Sequence, residues 1–269
     1  MNRSDLAWFL HVGDILWYPC SDVEYRARLR ALNAIRHPVV YTPGDNEWTD
    51  CHEPIAGEYE PLDRLRSLRA IFFPEPGRTF GGSPMEVESQ AADSAFAEFV
   101  ENVRWTRGGF VFATLHLVGS GNATEPFAGR TEAHDQAVAR RTEAAEAWME
   151  QAFDVAERDA AKGIVLALHA SMWDGGRPQP YPEFRGFVRR LAERVAAFPG
   201  EVLLVHGDDH TYIVDHPLED PESGRPLDNF ARIETFGSSD IGWVRVVLDS
   251  VAGRVVGTEP RLMPGWWLW

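Results

Sequence analysis

The sequence predicts an α/β fold, and three observations carry that prediction. Apolar, strand-like runs alternate with helical stretches through most of the chain. Towards the C-terminus the runs follow one another with no helix between them, which reads as an antiparallel-leaning end. Four of the apolar runs also end in loops rich in Asp, Asn, Glu and His, and in open α/β sheets ligands gather at the carboxyl ends of strands.

Leu6–Val12 (LAWFLHV) reads as a buried strand, and Val23–Ile35 has helical spacing with Ser21 or Asp22 as N-cap. Val39–Thr42 is a β-rich run stopped by the turn pair Pro43-Gly44. Leu62–Phe72 and Ala95–Val103 both read as helices, and Phe110–Val118 as a strand. Thr131–Lys162 is a long helix whose buried stripe is Ala145, Trp148, Met149, Ala152, Val155 and Ala156, with Gly163 as its C-cap. Ile164–Leu168 and Val202–Val205 are buried strands on either side of a helix over Phe184–Phe198. Phe230–Phe236, Val244–Leu248 and Arg254–Glu259 are the tail strands.

Composition narrows the classes. Hydrophobic residues make up 44% of the 269 and charged residues 25%, as in soluble globular proteins. No run reaches the roughly 20 apolar residues of a membrane span, and Met1–Asp5 is polar, so no signal peptide is expected here. A net charge of −15 opposes binding to a nucleic-acid backbone. It also repels phosphorylated substrates unless bound cations supply local positive charge. The two cysteines, Cys20 and Cys51, form no CxxC pair; a disulfide and two buried thiols both fit.

The ligand-rich loops are His11-Val12-Gly13-Asp14, Thr42-Pro43-Gly44-Asp45-Asn46-Glu47, Leu168-His169 and His206-Gly207-Asp208-Asp209-His210. Singly, each is a common turn. In this order they resemble the calcineurin-like metallophosphoesterase superfamily, whose motifs run D-x-H, G-D, G-N-H-D/E, a lone His and G-H-x-H. Tyr41–His52 (YTPGDNEWTDCH), Glu101–Trp105 (ENVRW) and Val205–His210 (VHGDDH) are similar to one bacterial branch of it, whose members often carry export signals.

That resemblance implies one domain over residues 1–269, a two-sheet α-β-β-α sandwich. The D-x-H motif, its strand and the following helix have no counterpart before Leu6. A start placed too late, a truncated chain and a natural remnant all account for this. Asp14 would bridge two metals, and Asp45, His169, Asp208 and His210 would complete the ligands. Asn46 falls where the family has a phosphate-contacting His, which removes a titratable proton donor; a register with Asn46 on the metal in place of Asp45 stays open. Glu47 matches the acidic residue that follows, and His206 lies one residue early. The implied cofactors are two divalent ions, Mn²⁺, Fe, Zn²⁺ or Mg²⁺. The oxygen-rich set leans to the harder ones.

The implied reaction is hydrolysis of a phosphomonoester or phosphodiester of a small molecule, with Asp14, Asn46 and His210 as its catalytic residues. Two cations neutralise the phosphate and lower the pKa of a shared water, which attacks in line. The alternative is a relative that kept the scaffold as a metal- or ligand-binding protein. Trp48 and Trp173 read as packing or as pocket walls, and Trp266, Trp267 and Trp269 as a cluster that docks on the domain. Asn122 reads as a turn residue or a phosphate contact, Arg104 and Arg130 as ion pairs or phosphate clamps, and His116 as packed. Oligomeric state and substrate identity do not follow.

Overall fold

The computed structural model describes residues 2–174 and 179–263; the C-terminal tryptophan cluster lies outside the described residues. Its spine is a seven-stranded sheet in the order β3-β4-β5-β6-β7-β9-β8. The centre is parallel: β5 (Phe110–Thr114), β6 (Gly163–Ala167), β7 (Glu201–His206) and β9 (Phe230–Glu234). The edges are antiparallel: β3 (Glu88–Ser89) and β4 (Val103–Arg107) on one side, β8 (Ile213–Asp215) on the other.

Strand alternation sorts the side chains into two cores. Val111, Ala113, Ile164, Leu166, Val202, Leu204 and Phe230 face helices α4 (Glu132–Arg158) and α5 (Arg185–Ala197), where Trp148, Met149, Ala152, Phe187 and Leu191 meet them. Val103, Trp105, Phe110, Phe112, Val165, Leu203 and Val205 face the other way. On that side lie two smaller sheets: parallel β1–β2 (Phe9–His11, Val39–Tyr41) and antiparallel β10–β11 (Gly242–Asp249, Arg254–Leu262). The outer face of β1–β2 buries Val39 and Tyr41 against Tyr25 and Leu32 of α1 (Asp22–Asn33) and Leu68, Ile71 and Phe72 of α2 (Pro61–Phe72). The layers therefore run helix, sheet, sheet, helix, the sandwich expected from the sequence.

Two expected elements differ. Ala95–Val103 is not a helix; it is a chain of turns running into β4. Asp93 accepts from the Ala95 amide and anchors the first turn. Phe96 and Phe99 repeat at i, i+3 because each starts a turn, and Arg140 and Arg69 lie over their rings. The long helix α4 stops at Arg158, and its left-handed terminating residue is Ala160, with Ala161 N–H donating back to Ala156. Gly163 belongs to β6.

Cys20 and Cys51 form a disulfide, which settles the choice left open by the sequence. Cys20 lies six residues after Asp14 and Cys51 six after Asp45, so the bond ties the two ligand loops together. It closes a loop with a sequence separation of 31. Replacing both cysteines with serine is expected to cost about 3–4 kcal/mol by the chain-entropy argument. Urea unfolding of the double variant checks this, and a loss below about 1 kcal/mol would contradict it.

Candidate metal centre

The ligand loops after β1, β2, β6 and β7 meet on one side of the sheets. Asp14, Asp45 and His169 each offer a ligand atom, and these atoms lie within 4.8 Å of one another. His169 Nε2 is 3.2 Å from Asp45 Oδ1, 3.5 Å from Asp14 Oδ1 and 3.7 Å from Asp208 Oδ1. On the far side of the ring, Nδ1–H donates to the Val12 carbonyl at 2.7 Å. With a cation bound, that bond would fix the tautomer that leaves Nε2 free to ligate; Nε2 is buried and makes no hydrogen bond.

Backbone and glycines shape the space. Asp14 (φ 56°), Asp208 (φ 82°) and His210 (φ 61°) take left-handed conformations, a form of strain that clusters at functional sites. A Cβ on Gly44 would overlap Asp14 Oδ1, and one on Gly119 would overlap the carboxylates of Asp45 and Asp208. Neither position admits a side chain without displacing a ligand group.

The loops are held by neighbours that are not themselves ligands. Glu47 is fully buried, and its carboxylate accepts the amides of Asp14 (3.1 Å), Gly44 (2.6 Å) and Ile15. The Tyr25 hydroxyl donates to the Glu47 carbonyl. Asp208 Oδ2 accepts the Ser171 amide at 2.9 Å, and Asp209 accepts the Ser171 hydroxyl. The Ser120 hydroxyl lies between Asp45 Oδ2 (3.1 Å) and Asp50 Oδ1 (2.8 Å). Ser120 sits in α3 (Gly119–Ala123), whose residues Ser120, Gly121 and Asn122 are left-handed, as is Ala123. Such a turn costs ~1–2 kcal/mol for each residue other than glycine.

The electrostatics fit a cation. Burial pushes the Asp14 carboxyl up to about 9. Burial also raises Asp45, but His169 outweighs it and holds that carboxyl at about 2. Burial lowers the His169 imidazole, yet the charges of Asp14, Asp45 and Asp208 outweigh it and hold it well above its usual value. Carboxylates crowded this closely favour positive charge among them, which a divalent ion would supply. The orphaned Nε2, the glycine-cleared space and the oxygen-nitrogen donor set all suit a hard or borderline divalent metal.

Not every residue expected here arrives. Asp14, Asp45, His169 and Asp208 converge. The ring of His210 packs against Gly237 and, like Asp208, is not in the group whose ligand atoms lie within 4.8 Å of one another. Asn46 contributes its amide, which donates to Asp45 Oδ1 at 2.9 Å, while its side chain makes no hydrogen bond among the described residues. His206 is buried, with Nδ1 bound to the Gly207 carbonyl. Trp48 and Trp173 are buried core residues. Arg104 pairs with Glu88 and Arg130 with Asp135, while Asn122 is held inside the α3 turn. Sequence reasoning missed Ser120 and Gly119, whose only signal was the Gly-Ser-Gly-Asn run after a strand.

Behind the centre lies a buried polar network. Arg69 makes a forked ion pair with Glu101, and Glu101 accepts from His116 Nδ1 at 2.6 Å. Burial lowers His116 to about 4, against which the Glu101 hydrogen bond pulls only partly. The unfolded chain takes up this proton near 6.5 and the folded protein near 4, so stability is fully present above pH 6.5 and falls as pH drops through that window. The loss is roughly 3 kcal/mol, at about 1.4 kcal/mol per pH unit. Buried His11 and His206 are lowered through the same window, so His116→Gln is expected to reduce the slope of the urea-midpoint profile between pH 6.5 and 4 by about a third; an unchanged slope would contradict this.

Comparison with solved structures matches the chain to one described as the structure of PhoD, with a TM-score of 0.51 and 14% identity. The fold is PhoD-like. The match covers 90% of this chain and 53% of that one, so the chain spans about half the length of PhoD. Likeness at this level carries the architecture alone, a large mixed sheet flanked by helices. No protein-family model and no curated protein matches the chain. Among the described residues no helix is long and apolar enough to cross a membrane.

Proposed function

We propose that the chain is a metal-dependent phosphoesterase that hydrolyses a phosphomonoester or phosphodiester of a small molecule at the Asp14–Asp45–His169–Asp208 cluster. The observation that carries it is the crowding of Asp14, Asp45 and His169 within 4.8 Å around an unpartnered imidazole nitrogen. The PhoD-like fold agrees with it. Two divalent ions, Mn²⁺, Fe, Zn²⁺ or Mg²⁺, are the proposed cofactors; when bound they offset phosphate charge and acidify a water.

The chain's own residues do the rest. Asp14 is the proposed bridging carboxylate. Asp45, His169 and Asp208 are the proposed terminal ligands, with Glu47, Ser120 and Ser171 fixing their orientation. The free side-chain amide of Asn46 can donate to a phosphate oxygen but cannot protonate a leaving group. His210, whose ring packs against Gly237, is the remaining proposed ligand. The Cys20–Cys51 disulfide favours an oxidising compartment, as for an exported protein.

One observation favours a second reading, a metal-binding relative without turnover: His210 stands outside the ligand cluster. Metal analysis of dialysed protein, followed by hydrolysis of p-nitrophenyl phosphate and bis(p-nitrophenyl) phosphate with Mn²⁺, separates the two. Bound metal with turnover supports the enzyme. Bound metal without turnover supports the binding protein, and neither metal nor turnover refutes both.

A further inference from the structure

Four arginines are buried among the described residues: Arg64, Arg104, Arg141 and Arg232. Three of them pair with carboxylates, Asp22, Glu88 and Asp215. Arg141, on α4 and almost wholly buried, has no carboxylate partner among the described residues. Its guanidinium donates instead to the His116 carbonyl, to Asn122 Oδ1 and to the Asn122 carbonyl, each at 2.7 Å. A buried guanidinium hydrogen-bonded only to neutral oxygens, with the Trp48 ring 5.5 Å from its centre, is an expensive way to stabilise a core. What it holds is therefore informative.

It holds α3. Asn122 is gripped at every polar atom of its side chain: Oδ1 by Arg141, and Nδ2 donating to Thr142 Oγ1 at 3.0 Å. At its exit the turn also reaches back on itself, the Thr124 amide and hydroxyl to the Gly121 carbonyl and the Glu125 amide to Ser120. Arg130 ties the exit of the turn through the Ala123 carbonyl. The entry of the same turn, Gly119 and Ser120, abuts Asp45 and Asp208. The left-handed backbone makes this possible by turning the Ser120 hydroxyl towards Asp45 and Asp50 while Asn122 faces the helix.

We infer that Arg141 is a positioning residue for the metal centre: from α4 it locks α3 in its left-handed form, so that Ser120 orients the Asp45 carboxylate. The inference rests on reading the Asp14–Asp45–His169 cluster as a metal centre. Arg141 touches neither ligand nor substrate and acts through Asn122 and Ser120. Outer partners of this kind change metal affinity by about 10- to 100-fold when removed.

The test is the Mn²⁺ dissociation constant, measured by calorimetry on the full chain and five variants. Ser120→Ala and Arg141→Gln are each expected to raise it about tenfold, and the double variant no further, because both cut one line of action. Arg141→Lys keeps the charge but not the fork, and is expected to behave like Arg141→Gln. Asn122→Gly severs the same link while leaving left-handed backbone accessible, so it serves if the Arg141 variants fail to fold; it too should weaken binding several-fold. Wild-type affinity in Arg141→Gln or Asn122→Gly, full rescue by Arg141→Lys, or multiplied effects in the double variant would each overturn the inference. Wild-type protein that binds no Mn²⁺ overturns the metal centre along with it.

Discussion

His169→Ala is expected to raise the Mn²⁺ dissociation constant at least 100-fold and to remove the stabilisation that the metal confers. His169 is the one imidazole among the converging ligands, and its Nε2 is aimed at three carboxylates with nothing else to bind. A ligand at 100 times its dissociation constant stabilises the folded state by about 2.7 kcal/mol. At roughly 2–4 °C per kcal/mol for a chain of this size, saturating Mn²⁺ should raise the wild-type Tm by about 5–10 °C. The variant loses the imidazole that offsets Asp14, Asp45 and Asp208, and should show no shift. Thermal melts with Mn²⁺ and with a chelator decide it: a variant that keeps the wild-type shift would remove His169 from the centre.

Glu47→Ala has the largest expected effect on folding. The carboxylate satisfies three amides drawn from two loops, those of Asp14, Ile15 and Gly44, in a place where water does not reach. Each of the three stranded donors costs about 1–3 kcal/mol, so the loss should be about 3–9 kcal/mol. That is a large share of a typical total of roughly 5–15 kcal/mol. Glu47→Gln should fall between, because an amide keeps one accepting oxygen but turns an NH₂ towards backbone N–H groups. Urea denaturation of both variants measures the difference. A Glu47→Ala protein within about 1 kcal/mol of wild type would mean that the loops hold themselves.

The comparison of sequence with structure divides along physical lines. The central strands were legible because burial on both faces leaves continuous apolar runs such as Ile164–Leu168 and Val202–Val205. Helix α4 was legible from its stripe, whereas its end was not, since Ala160 takes the left-handed position that Gly163 seemed to mark. The Ala95–Val103 segment misled because Phe96, Phe99 and Val103 repeat at helical intervals while serving successive turns. At the site, the strand-end order pointed to Asp14, Asp45, His169 and Asp208, and to His210 as well. It could not reveal Glu47 as a clasp, because a carboxylate beside a metal motif looks like a ligand until its three amide donors are seen. Nor could it find Ser120 or Arg141, whose roles depend on a left-handed turn that no local pattern encodes.

The Glu47 clasp has one more consequence, for how an ion would enter. Both ligand loops are cross-braced, by Glu47 near their tips and by the disulfide behind, so little conformational freedom is left to lose when a cation arrives. Metal uptake should then be fast and limited by dehydration of the ion, not by chain rearrangement. In the metal-free protein the amides of Asp14, Ile15 and Gly44 can exchange with deuterated solvent only when the brace opens, so slow exchange at these three positions is the signature of a preorganised site.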